Sequence, residues 1–186
     1  MNILAIGAHP DDVEFLCAGT LAIYAKQGHK VYIAVATNGN VGSPTLSKNK
    51  IRAIRKKESE EACKLIKAKL IWMDFDDEWL FDNKETRLIF IDAIREANPE
   101  IMFIHNKYDY HPDHRNAGQI AEDCRIPVSV RLVKSSYEYM KNIPHMFYMD
   151  SIGGVGFDPE HYVNISEVMD IKEEMLRCHK SQEDWL

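Results

Sequence analysis

The sequence predicts a single α/β domain built on a mostly parallel sheet with helices on both faces. Three observations lead there. Strand-like and helix-like segments alternate along the chain, the connections between them are short, and the strand segments are continuous apolar runs. A strand that is apolar throughout is covered on both sides, as strands of a helix-covered parallel sheet are. With 186 residues, 45% of them hydrophobic, the chain holds enough apolar material for one full core.

The elements follow in order. "NILAIG" (Asn2–Gly7) is a buried strand. Residues 14–27 read as one helix, with Phe15, Ala18, Leu21, Ala22 and Ala25 at helical spacing and Gly28 as its stop. "KVYIAVAT" (Lys30–Thr37) is β-branched and strand-like, and "NGNVGSP" is a loop. A charged amphipathic helix spans 48–67, followed by the strand "KLIWMDF" (Lys69–Phe75) and a helix over Lys84–Ala97. "EIMFIHN" (100–106) is a fourth strand and 113–124 a further helix. Beyond Pro127 the pattern is irregular, with aromatic strand-like stretches at 136–140 and 147–151. A last amphipathic helix spans 166–181, with Val168, Ile171, Met175 and Cys178 facing inward.

Charge and composition remove several function classes. A net charge of −6 gives no electrostatic footprint for nucleic acid or anionic lipid. The apolar start has no basic flank and ends at Asp11 and Asp12, so it does not read as a secretory leader, and no segment has the uninterrupted apolar length of a membrane span. Cys17, Cys63, Cys124 and Cys178 are scattered, which fits reduced thiols in a cytoplasmic protein.

What stands out is a repeated tetrapeptide. "HPDD" (residues 9–12) follows the first strand, and "HPDH" (residues 111–114) comes a few residues after the fourth. Open parallel sheets bind ligands beyond the carboxyl ends of their strands, so both copies can share one edge. Each proline disfavours helical backbone at the histidine before it. His9 and Asp12, like His111 and His114, are three residues apart, near enough for one turn to aim both at a common point. Imidazole plus carboxylate is a ligand set for zinc, and also for Fe(II) or another divalent metal. Singly, Asp11, Asp12 or Asp113 could serve as helix caps, but two caps do not require two H-P-D triplets. Were His9, Asp12, His111 and His114 all ligands, the site would be closed, whereas a catalytic zinc keeps three protein ligands and a water. Asp11 is a further carboxylate beside a ligand, placed to take a proton from that water. The surplus of groups favours hydrolysis, and spacing leaves open which histidine is the non-ligand.

These residues resemble the LmbE-like, or PIG-L-type, zinc-dependent N-deacetylases. "AHPDDVEFLCAGTLAIYAKQGHKVYIAVATNG" is similar to that family's opening block and "HPDHRNAG" to its second metal motif. "IRKKESEEACKLI" resembles its Arg-x-x-Glu helix and "HKSQ" (residues 179–182) its late H-x-S-Q element. The resemblance covers nearly all of a 1–186 domain, whose C-terminal part is shorter than usual for the family. It implies a Rossmann-like fold, Zn2+, and removal of an N-acetyl group from a small-molecule N-acetylglucosamine-type sugar or conjugate. It implies His9, Asp12 and His114 as ligands, Asp11 as general base, His111 as the unligated histidine at the oxyanion or leaving amine, and Asp113 as the group orienting His111. Arg55 matches an arginine that reaches toward a substrate or product carboxylate, although beside Arg52, Lys56 and Lys57 it also reads as a solvated helix charge. Homo-oligomerisation is left open.

Three other readings fit less well. A nucleotide-binding domain would carry a Gly-rich turn after strand one, where "AHPDD" instead places carboxylates that repel phosphate. An Fe(II) oxygenase has no use for the neighbouring Asp11. A non-catalytic metal-binding relative with a truncated substrate pocket would be free to lose Asp11 and His111, and both are present.

Overall fold

A computed structural model describes residues 1–154 and 156–183, so Val155 and the last three residues of the 1–186 domain lie outside the description. Five parallel strands form one sheet in the order β3-β2-β1-β4-β5, where β1 is Asn2–Gly7, β2 Lys30–Thr37, β3 Lys69–Phe75, β4 Ile101–His105 and β5 His145–Met149. The chain winds outward from β1 to β3, then crosses to the other side of β1 for β4 and β5. The order therefore reverses between β1 and β4, and the crevice beyond their carboxyl ends is where such sheets bind ligands.

β1 shows why the apolar runs are continuous. Leu4 and Ile6 pack on one face with Phe90, Ile94 and Ile120, from α4 (Lys84–Ala97) and α5 (Pro112–Cys124). Ile3 and Ala5 pack on the other with Leu21, Ala62 and Met175, from α2 (Ala18–Lys26), α3 (Lys48–Leu65) and α6 (Met169–Arg177). A two-sided core leaves no polar alternation along the strand. Cys17, Cys63 and Cys124 are buried, Cys178 is half-buried, and all four are free. Among the described residues, no helix is long and apolar enough to cross a membrane.

Three segments differ from expectation. The helix expected over 14–27 is two helices, α1 (Asp12–Leu16) and α2, broken at Cys17, whose φ is −139°. The break seats Gly19 against Ile165, where an added Cβ would lie 2.7 Å from Cδ1, a long-range contact that local spacing cannot report. Residues 136–140 are not a strand. Arg95, in the last turn of α4, collects the carbonyls of Pro127, Val128, Val130, Val133 and Tyr137, and so turns this segment's backbone away from the sheet. The last helix is a shorter α6 flanked by single 3-10 turns at Ser166–Val168 and Lys180–Gln182.

One contact couples the fold to the crevice. Gly118 on α5 lies so near β4 that an added Cβ would sit 2.3 Å from the His105 carbonyl oxygen. Gly118→Ala should therefore cost about 1–3 kcal/mol by pushing α5 off the strand, measurable as a lower Tm.

Candidate metal centre and active site

The first half of the site is the turn leaving β1. His9 is followed by Pro10, then Asp11 adopts φ 122°, a conformation that costs an L-residue on the order of 1–3 kcal/mol and is maintained only by its surroundings. Asp11 holds the cap position of α1, yet its side chain makes no cap hydrogen bond there. Its Oδ2 instead accepts from Arg55 Nη2 at 2.9 Å, and the same nitrogen donates to the Pro10 carbonyl at 2.6 Å. Asp12 Oδ2 accepts the His9 backbone N–H at 2.7 Å, which closes the turn and faces ring and carboxylate the same way.

The second half comes from β4 and the start of α5. His111 is extended, as its proline requires, and caps α5 itself, its Nδ1 accepting the Asp113 N–H at 3.2 Å. That bond leaves the hydrogen of the neutral ring on Nε2, which faces Glu78 Oε1 at 3.4 Å. Asp109 Oδ1 accepts the His111 N–H at 3.0 Å and lies 3.0 Å from His114 Nδ1, turning His114 Nε2 toward the crevice.

The halves meet closely. His9 Nδ1 is 3.1 Å from His114 Nε2, His114 Nε2 is 3.2 Å from Asp12 Oδ1, and His9 Nδ1 is 3.5 Å from Asp12 Oδ2. Donors about 2.1 Å from a tetrahedral ion lie about 3.4 Å from one another, a spacing these three residues approach through the two Asp12 oxygens. His9, His111 and His114, Asp12, His105 and His114, and His9, Asp77 and Asp113 also bring donor atoms close enough to share an ion. The opposite nitrogen of His9, Nε2, is buried and has no aligned hydrogen bond, although Asp77 Oδ1 is 3.1 Å away and Asp113 Oδ2 3.4 Å. Carboxylates behind a metal-facing imidazole are the usual partners that fix a ligand's tautomer. The donor set fits a divalent cation.

Electrostatics agree with that fit. Burial disfavours charge on His9, but the carboxylates of Asp113, Asp12 and Asp77 outweigh it and raise its pKa well above the ordinary value. Burial likewise opposes charge on His114, yet Asp12 and Asp109 lift it to about 9. Asp12 would be raised by burial but is held well below the ordinary range by His114 and His105. This cluster stabilises positive charge among carboxylates, which is what a bound cation supplies. Burial pushes Asp11 up to about 6, with Arg55 opposing and Asp12 adding. Burial lowers His111, helped by the neighbouring His9 and His114, so it stays neutral.

The structure thus brings His9, Asp11, Asp12, His111, Asp113, His114 and Arg55 to one edge of the sheet. Two of them also have partners that the sequence did not suggest. Asp113 gives His111 a backbone N–H and a nearby negative charge, while its carboxylate accepts from Glu78 N at 2.8 Å and Leu80 N at 3.3 Å and stands beside His9. Arg55 is not a solvated charge: it is 4% exposed, lies against Gly39 and Gly42, and pairs with Asp11 through Nη2.

Sequence reasoning missed Asp77, Asp109 and His105. Ala8 N–H donates to His105 Nε2 at 3.0 Å, and Asp12 Oδ2 is 3.1 Å from the same nitrogen. A histidine ending the strand beside β1 was the available signal for His105. Asp109 lies two residues before the second tetrapeptide, while Asp77 belongs to a third loop and had none. The H-x-S-Q element closes the back of the site. Ser181 donates through N and Oγ to Glu58, and Gln182 Nε2 donates to the Gly42 carbonyl, which locks α3 and Arg55 in place.

Comparison with known proteins gives the same picture. A probable N-acetyl-alpha-D-glucosaminyl L-malate deacetylase 2 from Bacillus cereus is 32% identical over 193 residues, covering 97% of this chain and 83% of the relative. The solved N,N'-diacetylchitobiose deacetylase of Pyrococcus horikoshii superposes with a TM-score of 0.85 at 26% identity, over 97% of this chain and 70% of that one. A 4-oxalmesaconate hydratase from Pseudomonas putida is 23% identical over 191 residues, covering 98% of this chain and 74% of the relative. The fold therefore serves more than one reaction, and the reaction here is to be argued from the site. The PIG-L family, described as GlcNAc-PI de-N-acetylase, matches residues 4–124, and the chain belongs to this LmbE-like family.

Proposed function

We propose that this chain is a metal-dependent amidohydrolase that removes an N-acetyl group from an N-acetylglucosamine-type sugar or conjugate. The observation that carries the reading is the close approach of His9, Asp12 and His114 with a separate half-buried carboxylate, Asp11, beside them. The deacetylase relatives support the substrate class. His9, Asp12 and His114 would hold the ion, zinc by its donor set, with Fe2+ or another divalent metal as the alternative. Such an ion supplies a water acidic enough to attack near neutral pH and polarises the amide carbonyl.

The chain's own groups do the rest. Asp11 accepts the proton that the attacking water sheds, and a carboxyl near 6 is both ionised at neutral pH and a usable base. Arg55 keeps that carboxylate in place and ionised against its burial. His111 presents Nε2–H to the carbonyl oxygen as negative charge develops, and the proton that Asp11 took from the water passes to the nitrogen that leaves when the C–N bond breaks. Asp113 anchors the loop that carries Glu78 and, with Asp77, stands behind His9.

Zinc-loaded protein incubated with N-acetylated sugars should release acetate and free amine in equal amounts. Equal amounts of both would distinguish amide cleavage from hydration. Chelation should abolish the release and added zinc restore it; turnover untouched by chelation contradicts the reading. His111→Ala should keep its metal and lose about a hundredfold in rate, read by metal content alongside acetate release.

A further inference from the structure

The loop after β3 carries two large aromatic rings that the core does not use. Leu80 is fully buried while its neighbours Trp79 and Phe81 are 62% and 57% exposed, their ring centroids 6.2 Å apart. The alternation places Leu80 inward as an anchor and turns Trp79 and Phe81 outward together. A mobile surface loop would not hold such a pair in register, but this one is pinned. The buried Asp113 carboxylate accepts Glu78 N–H and Leu80 N–H, and Asn116 Nδ2 donates to the Leu80 carbonyl at 2.7 Å.

Glu78 itself has φ 71°, a left-handed conformation that a glutamate adopts only at a cost, and strain of this kind concentrates at functional sites. Its carboxylate points to His111 Nε2, so the loop's rim is continuous with the reacting edge. Across His111 stands Tyr110, 58% exposed, with its ring 6.0 Å from the imidazole. An aromatic face for the apolar side of a pyranose, next to a carboxylate for its hydroxyls, is the chemistry of a saccharide subsite.

We propose that Trp79 and Phe81, with Glu78 beside them, bind a second sugar ring, so that the substrate is an N-acetylated saccharide of at least two rings. The identity of the first ring rests on the deacetylase reading above; the stacking subsite does not depend on turnover.

Binding is the direct test. Zinc-loaded Asp11→Asn should bind N,N'-diacetylchitobiose about tenfold or more tightly than N-acetylglucosamine by calorimetry. Adding Trp79→Ala should bring that ratio close to one, Phe81→Ala should reduce it in part, and Trp79→Phe should keep most of it. Both rings are exposed, so the variants should melt with the parent. Equal affinities, no binding of either sugar, or a ratio indifferent to Trp79→Ala would overturn the subsite. So would a Trp79→Ala variant that splits an oligomer with the ratio intact, since the rings would then be covered by a second copy. If the preference holds while parent protein releases no acetate from any sugar, the deacetylase reading falls and the subsite stands.

Discussion

Asp12→Ala should lose both the bound metal and the turnover. In the proposed site the residue is one of three donors, and it is also the hub of the turn. Its Oδ2 holds the His9 backbone N–H at 2.7 Å and lies 3.1 Å from His105, while Oδ1 faces His114. Two imidazoles left alone hold zinc poorly, and the truncation also frees the backbone that aims one of them. Metal content after dialysis should drop from near one ion per chain to near none. Acetate release should fall below detection. Stoichiometric zinc in this variant would remove Asp12 from the ligand set.

Asp11→Asn should separate metal from chemistry. The amide retains size and shape but cannot accept a proton, so zinc should remain near stoichiometric while turnover drops on the order of a hundredfold or more. Normal turnover would end Asp11's role as base. Stability provides a second readout in metal-free protein. Burial raises the Asp11 pKa from 3.8 to about 6, so the folded state prefers the neutral form and stability is lost as pH rises from about 4 through 6. Asparagine escapes that loss. Urea titrations should show parent and variant alike near pH 4 and the variant more stable at pH 8, by up to about 3 kcal/mol. A variant less stable at pH 8 would mean that the Arg55 pair outweighs the burial of Asp11.

Much of this was legible in the sequence because the determinants are local. β1, β2 and β3 have the bounds their apolar runs suggest; β1 and β2, buried on both faces, are marked residue by residue, and the edge strand β3 is marked by its apolar and aromatic run. The two tetrapeptides announced the edge where the histidines and carboxylates gather because proline, histidine and aspartate act on their own turn. What could not be read depends on partners far along the chain. Gly19, just after the break at Cys17, packs on Ile165, and Tyr137 within 136–140 gives its carbonyl to Arg95. Asp77 joins His9 only because β3 and β1 both deliver loops to one edge, and His105 meets Asp12 only because β4 lies beside β1. Of the two readings of Arg55, the solvated charge fails, because no spacing along α3 reveals that Gly39 and Gly42 lie against it beside Asp11.

The most direct test is anomalous diffraction at the zinc edge on zinc-loaded crystals, which shows the ion and its ligands together. One ion per chain is expected, about 2.0–2.2 Å from His9 Nδ1, Asp12 and His114 Nε2, with a remaining position open to solvent and Asp11 outside the coordination shell. An ion held by His105 or His111, or closed off by a fourth protein ligand, would contradict an open hydrolytic centre at this edge of the sheet.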